Sequence, residues 1–321
     1  MYTTKRKIKK GWIITLIIII VLIILSIVGF NLYKYYTSYE YKLDKVGYNE
    51  KEINALLKKD NKVIDKALKK YDEYLIPLTN EKYFLWKNYN TYKEYINKTL
   101  GETNNIDYNE IVTKVNVKRN YDYYTHTKEA DLDKGYSILV NKYNYLPDKY
   151  APEDIVKVSN QHCYGENELR EEVYEAFKNM FNDAKKEDIT LIINSGYRSY
   201  DYQKKLYDEY KNTKGEEEAD NYAARPNFSE HQTGLSIDII TYGASGNNFD
   251  TTDAFKWLSK NASKYGFILR YPKDKEDITG YSYESWHYRY LGKKLASKVK
   301  KSGLTYDEYY AYYIDGDKNE K

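Results

Sequence analysis

The stretch SEHQTGLSIDII, residues 229–240, sets a histidine at 231, a glycine at 234 and an aspartate at 238 within an aliphatic run. Leu235 to Ile240 alternates as a strand, with Leu235, Ile237 and Ile239 on one face and Ser236 and Asp238 on the other. A lone carboxylate is expensive to bury, so Asp238 requires a cation or several hydrogen-bond donors. His231 lies an odd number of residues upstream, where one straight strand would point it to the opposite face. Gly234 offers the bend that can return the imidazole to Asp238. Imidazole and carboxylate together suit a divalent zinc ion.

Two protein ligands are too few, and the chain has three further histidines, His126, His162 and His287. His126, in YYTHTKEA, falls in a linker, and His162, in SNQHCYG, precedes a helix; both read as ordinary surface or packing histidines. His287 differs, because YESWHYRY places Glu284 three residues before it. A carboxylate beside a metal-bound histidine can take a proton from the metal's water. Positions three apart face opposite ways on a flat strand, so the segment around Ser285 must turn or bulge for Glu284 and His287 to converge. Taken separately, each pair also fits a strand-end polar network or a surface salt bridge.

The surrounding elements set the fold class. NELREEVYEAFKNMFNDAKKE reads as an amphipathic helix with Leu169, Val173, Phe177 and Phe181 on one stripe. ITLIINSGYRS reads as a strand broken at Ser195-Gly196, and SYDYQKKLYDEYKN as a helix with Gln203, Leu206, Tyr207 and Tyr210 on one side. TDAFKWLSKNASKYGF is a helix stopped by Gly266, FILRYP and WHYRYLG are strands, and LASKVKKSG and TYDEYYAYY are closing helices before a frayed end. Helices and short strands without regular alternation indicate α+β with a mostly antiparallel sheet. Upstream, YNEKEINALLKKDNKVIDKALKKYDEYL has an amphipathic helical pattern that Pro77 is expected to end, and NEKYFLWKNYNTYKEYINKTL is a further helix with an aromatic stripe.

The chain has 321 residues, 51 basic and 48 acidic, with a formal charge of +3. Lys5, Arg6, Lys7, Lys9 and Lys10 carry five of the positive charges, and the remainder is close to neutral, so no basic face for nucleic acid is present. The lone Cys163 excludes an intrachain disulfide framework and a multi-cysteine metal site. From Trp12 to Phe30 the chain is apolar or small, a helix on the order of 28 Å long that matches a bilayer core. The basic cluster before it is expected to hold the N-terminus in the cytoplasm, and the run is longer than the apolar region of a cleaved signal, with no A-x-A-like site after it.

Three motifs in order, SGYRSYDYQ, ARPNFSEHQTGLSIDI and GFILRYPKDKEDITGYSYESWHYRYLG, resemble the VanY-type D-alanyl-D-alanine carboxypeptidases, zinc peptidases that trim peptidoglycan stem peptides. The resemblance runs from about Gly135 to Leu304 and includes LVNKYNYLPDKYAPEDIV. It implies a small antiparallel sheet flanked by helices, like the Hedgehog signalling domain. It implies His231, Asp238 and His287 as zinc ligands with the fourth position left for water, and Glu284 as general base. Arg198 matches the arginine that faces substrate, gripping a terminal carboxylate or steadying an oxyanion, and Gln203 and Ser229 match positions that hold the terminal carboxylate. Asn227, Ser236 and Ser285 stand where the family usually has glycine, alanine and proline, which alters loop shape but removes no ligand. Arg225 reads as structural, and Trp286 as either pocket wall or core.

The expected organisation is a cytoplasmic N-terminus over 1–10, a transmembrane signal-anchor helix over 11–31, an extracellular helical stalk over 32–128, a zinc carboxypeptidase domain over 129–310 and a tail over 311–321. The expected activity is removal of the terminal D-alanine from peptidoglycan stems by a catalytic domain facing the cell wall. Two other readings use the same residues: an L,D-carboxypeptidase acting on tetrapeptide stems, and a membrane-anchored module that binds stems without cutting them. A pure binder has no need of Glu284 or of an open zinc position.

Overall fold

The computed structural model describes residues 10–100 and 105–315. The expected cytoplasmic segment up to residue 9 and the tail beyond 315 lie outside the described residues. The chain forms two compact units that divide between Phe84 and Leu85.

The first unit begins with α1 (Lys10–Thr37), whose best 18-residue window has a mean hydropathy of 3.4 and none of it buried. It is long and apolar enough to cross a membrane. Four short helices follow: α2 (Tyr39–Val46), α3 (Glu50–Leu56), α4 (Asn61–Ala67) and α5 (Leu75–Asn80). The amphipathic run is cut in two because Asn49 closes a capping box on α3 and Asp60 caps α4 through the Val63 N–H. Leu43, Leu56, Val63, Ala67, Leu75 and Leu78 are buried from these helices. Pro77 does not end the run as expected; it sits in the first turn of α5, where its missing N–H leaves no helical bond unmade.

The second unit opens with α6 (Tyr89–Thr99), which buries Tyr89, Tyr92 and Ile96, and α7 (Tyr108–Asn116). Two small pairings follow, β1 (Lys128–Glu129) parallel to β2 (Asn144–Tyr145), and β3 (Ile155–Lys157) antiparallel to β4 (Glu168–Arg170). Helix α8 (Glu171–Lys185) buries Val173 and Phe177. Leu169 is not on that helix: it pairs with Val156 across β3 and β4, because Arg170 keeps extended angles and helical geometry starts only at Glu171. Next come β5 (Ile192–Ser195), α9 (Tyr200–Lys214), α10 (Glu216–Tyr222), β6 (Ser236–Ile240), α11 (Asp253–Asn261), β7 (Phe267–Tyr271), α12 (Glu276–Thr279), β8 (Glu284–Tyr290), α13 (Lys293–Ser302) and α14 (Tyr306–Tyr313).

The central sheet runs in the order β5-β6-β8-β7 with every pair antiparallel. Leu235, just before β6, and Ile237 and Ile239 of β6 join Phe267, Tyr288 and Tyr290 in the main core, with Val173, Phe177, Trp257 and Leu258 from α8 and α11. Alternation sends Ser236, Asp238, His287, Arg289 and Arg270 to the opposite face. Under that second face lies a smaller core in which Ile268 and Leu291 meet Ala296 and Val299 of α13 and Tyr306, Tyr309 and Tyr310 of α14. Lys142 is buried and donates to the backbone carbonyls of Asp220 and Gly280, both at 2.6 Å, tying the end of α10 to the loop before β8.

The turn after β5 depends on Gly196. A Cβ there would run into the carbonyl oxygen of Glu168, which cannot move without breaking its hydrogen bond from Tyr197. Gly196→Ala should therefore lower stability by about 1–3 kcal/mol, the range for forced overpacking. Thermal unfolding of the variant beside the parent checks this.

Candidate metal centre and active site

Register assembles the site. Asp238 on the central strand β6 pairs with His287 on β8 and with Ser195 on β5, so residues 195, 238 and 287 meet on one face. His231 arrives from a single 3₁₀ turn over Glu230–Thr233 that ends at Gly234 with φ 67°, the left-handed conformation the bend requires. On β8, the four-residue step from Glu284 to Tyr288 faces only Leu269 to Tyr271 of β7, a bulge that absorbs the odd spacing of Glu284 and His287.

His231, Asp238 and His287 are all buried and each offers one ligand atom within 4.8 Å of the others. His231 Nε2 lies 3.3 Å and His287 Nδ1 3.2 Å from Asp238 Oδ1. That carboxylate oxygen is buried without a hydrogen-bond partner. His231 Nδ1 is 2.7 Å from the Gly196 carbonyl, which can only accept, so Nδ1 carries the proton and Nε2 presents a lone pair. The far oxygen of Asp238 accepts from Arg198 Nη2 at 2.9 Å, and Arg198 Nε donates to Ser195 Oγ at 3.0 Å. Two imidazole nitrogens and an orphaned carboxylate oxygen facing one point form a donor set that fits a tetrahedral zinc ion with one position left over.

The electrostatics divide the roles. Burial opposes the charge of Asp238, but the neighbouring imidazoles and Arg198 outweigh it and hold its carboxyl well below the usual range. Burial and the Arg198 cation bring His231 down to about 4, a neutral ligand at pH 7. His287 is the reverse: its burial is overcome by Asp238, Glu230 and Glu284, which push it up to about 9. Glu284 is pushed up to about 7, first by burial and then by the Asp238 and Glu230 charges. Its Oε2 lies 3.4 Å from His287 Nδ1 at the edge of the group.

His231, Asp238, His287 and Glu284 sit in a cleft that Arg198, Gln203, Ser229, Tyr271, Tyr281 and Trp286 also line. Among the described residues lining it, Arg198 is the only arginine or lysine. Gln203 is buried on α9; its Nε2 donates to the Ala224 carbonyl at 2.8 Å, while its Oε1 is buried without a partner. Ser229 is buried beside the 3₁₀ turn. All seven residues singled out in the sequence thus line one cleft. His126 stacks on Tyr121 and His162 contacts the Tyr174 hydroxyl, both apart from the metal group. Arg225 pairs with Asp220 and Glu216, which is structural bracing of α10. Sequence reading missed Glu230 and its ties to Arg270 and Arg289, although an acid directly before a ligand histidine and two arginines inside apolar strands were visible signals.

Residues 166–293 match the family model VanY, D-alanyl-D-alanine carboxypeptidase. A D-alanyl-D-alanine carboxypeptidase of Enterococcus faecalis is 35% identical over 195 residues, covering 58% of this chain and 69% of that protein. This chain belongs to the VanY family. YodJ of Bacillus subtilis is also similar, 46% identical over 182 residues that cover 54% of this chain and 66% of YodJ. The solved structure of the LdcB LD-carboxypeptidase shares 42% identity and a TM-score of 0.55, covering 59% of this chain and 91% of that one. VanY membership makes the catalytic unit that of a carboxypeptidase.

Because the neighbouring acids push His287 up to about 9, a cation that binds there displaces its proton. The apparent zinc affinity of this VanY-family site should therefore rise steeply from pH 6 to pH 9 and flatten above. Chelator competition across that interval measures it, and a pH-independent affinity would show that His287 does not carry the proton.

Proposed function

We propose that the protein is a zinc-dependent D,D-carboxypeptidase that removes the terminal D-alanine from peptidoglycan stem peptides. The observation that carries this reading is the convergence of His231, Asp238 and His287 with Glu284 in one cleft whose sole arginine is Arg198. Bound by His231 Nε2, Asp238 Oδ1 and His287 Nδ1, zinc would supply a water of lowered pKa and polarisation of the scissile carbonyl.

The chain's own groups do the rest. Glu284, with a pKa near neutrality, takes a proton from the attacking water as oxygen adds to the carbonyl carbon. The same carboxyl then returns the proton to the amine as the C–N bond breaks, so the acid and the free D-alanine leave with the atoms of one water added. Arg198 has spent one N–H on Asp238 and one on Ser195, and its remaining donors suit a substrate carboxylate or a developing oxyanion. Gln203 and Ser229 line the same cleft and are assigned to the terminal carboxylate beside it. A requirement for a free carboxylate next to the cut limits the enzyme to one terminal residue. The fold assigned to this unit is that of the Hedgehog and D,D-peptidase group.

Helix α1 is assigned as an uncleaved anchor, with the basic residues before it on the cytoplasmic side and the catalytic unit facing the wall. The helices that follow serve as a stalk. The likeness to LdcB favours a second reading, cleavage of the L,D bond in a tetrapeptide stem. Incubating the purified protein with pentapeptide and tetrapeptide stems and weighing the products separates the two: D-alanine from the pentapeptide alone supports the first. Release from the tetrapeptide alone replaces it with the second.

Glu284→Gln should keep the metal yet lower turnover by about 10²–10⁴, the usual contribution of a general base. Metal analysis and kcat measured on one preparation check both halves, and retained turnover would remove Glu284 from that role.

A further inference from the structure

Resting on the zinc reading above, we infer that Glu230 is a positioning residue for the metal site: it accepts the Nε2 proton of His287 and so fixes the ring that presents Nδ1. Each of the other two ligands has its far atom held, His231 Nδ1 by the Gly196 carbonyl and Asp238 Oδ2 by Arg198. For His287 the far atom is Nε2, which is buried with no hydrogen-bond partner. A ligand bound through Nδ1 must carry its proton on Nε2, and a buried N–H left unpaired costs about 1–3 kcal/mol. The acidic oxygen facing it is Glu230 Oε2, at 3.6 Å, a separation that a small ring rotation closes.

Glu230 is built to hold that place. Its side chain is only 1% exposed, and Oε1 accepts from Arg270 Nε at 2.9 Å and from Arg289 Nη1 at 2.8 Å. Oε2 accepts a 3.2 Å bond from Ser236 Oγ, which leaves a lone pair for the imidazole. Arg289 is fixed by the carbonyls of Tyr136 and Ile138 at 3.0 and 2.7 Å. Arg270 is gripped through both Nη atoms by Asp307, which Asn141 also binds at 2.8 Å. Two arginines and two carboxylates balance, so Glu230 can face His287 without leaving a net buried charge. Asp307 lies on α14, so a helix near the C-terminus braces a metal ligand through two side chains. The Tyr271 ring, 4.9 Å from the imidazole, confines its other side.

The test uses the full chain in detergent micelles, labelled with ¹⁵N-histidine, since four histidines give a resolvable spectrum. In the parent protein His287 Nε2 should carry a slowly exchanging, downfield proton. In Glu230→Gln that signal should move upfield, and zinc affinity by chelator competition should fall about 10- to 100-fold, as for outer partners of metal ligands. Val173→Ala, in the core beyond the other face of the sheet, controls for lost stability and should leave both readouts in place. A Glu230→Gln protein with a lower melting temperature but parental zinc affinity and an unmoved signal would reduce Glu230 to a structural counter-ion and overturn the inference. If that variant does not fold, the parent spectrum decides, because absence of the downfield Nε2 proton overturns the inference without any variant. A parent chain that shows the proton yet binds no zinc would support this contact and refute the metal reading.

Discussion

The cross-strand pairing of Asp238 with His287 is the constraint on which the site depends. A carboxylate and an imidazole held opposite one another at the middle of an antiparallel sheet cannot drift apart without moving β6 or β8. That rigidity is what a metal centre needs, since loosely held ligands lose affinity to the entropy of collecting them. His231 joins through a turn, but the residue is held at two points. Its carbonyl receives the Arg198 N–H and its ring bonds the Gly196 carbonyl.

The same face of the sheet carries an unusual density of buried charge. Glu230, Arg270, Arg289 and Asp307 are each at most 3% exposed at the side chain. Such groups gain little net stability over apolar packing, yet removing one partner strands the other at a cost of about 3–5 kcal/mol. Their value lies in geometry: a closed set of charged hydrogen bonds permits few alternative packings. Here that set lies directly behind the ligands.

Burial raises the pKa of both neighbouring carboxyls, yet their net shifts are opposite because their partners differ. Asp238 faces two imidazoles and a guanidinium, which hold its carboxyl well below the usual range. Glu284 has burial and two other acids against it and rises to about 7, which suits the proton transfers proposed for it. Two acids in one cleft thus acquire opposite protonation tendencies from environment alone.

Much of this was legible in the residues. The alternation of 235–240, the bend at Gly234, the strand breaks and the closing helices follow from local stereochemistry, and the fold class follows from their order. The need for a bulge between Glu284 and His287 was a parity argument, and β8 supplies the bulge. Local rules failed where pairing partners intervened: Leu169 fits a helical stripe but is captured by Val156, and Pro77 opens a short helix instead of closing a long one. What the chain could not disclose was which far-apart groups meet, because spacing along a backbone says nothing of distance through space. Glu230, Arg270, Arg289 and Asp307 are unremarkable as letters, and only packing the sheet against α14 turns them into one buried unit. The sequence by itself determined the strand that carries Asp238 and the residue types, two imidazoles and a carboxylate, that meet there. The tertiary structure decided which nitrogen of each imidazole faces Asp238, since the groups that meet the far nitrogens, the Gly196 carbonyl for His231 and the Glu230 carboxylate for His287, lie tens of residues away.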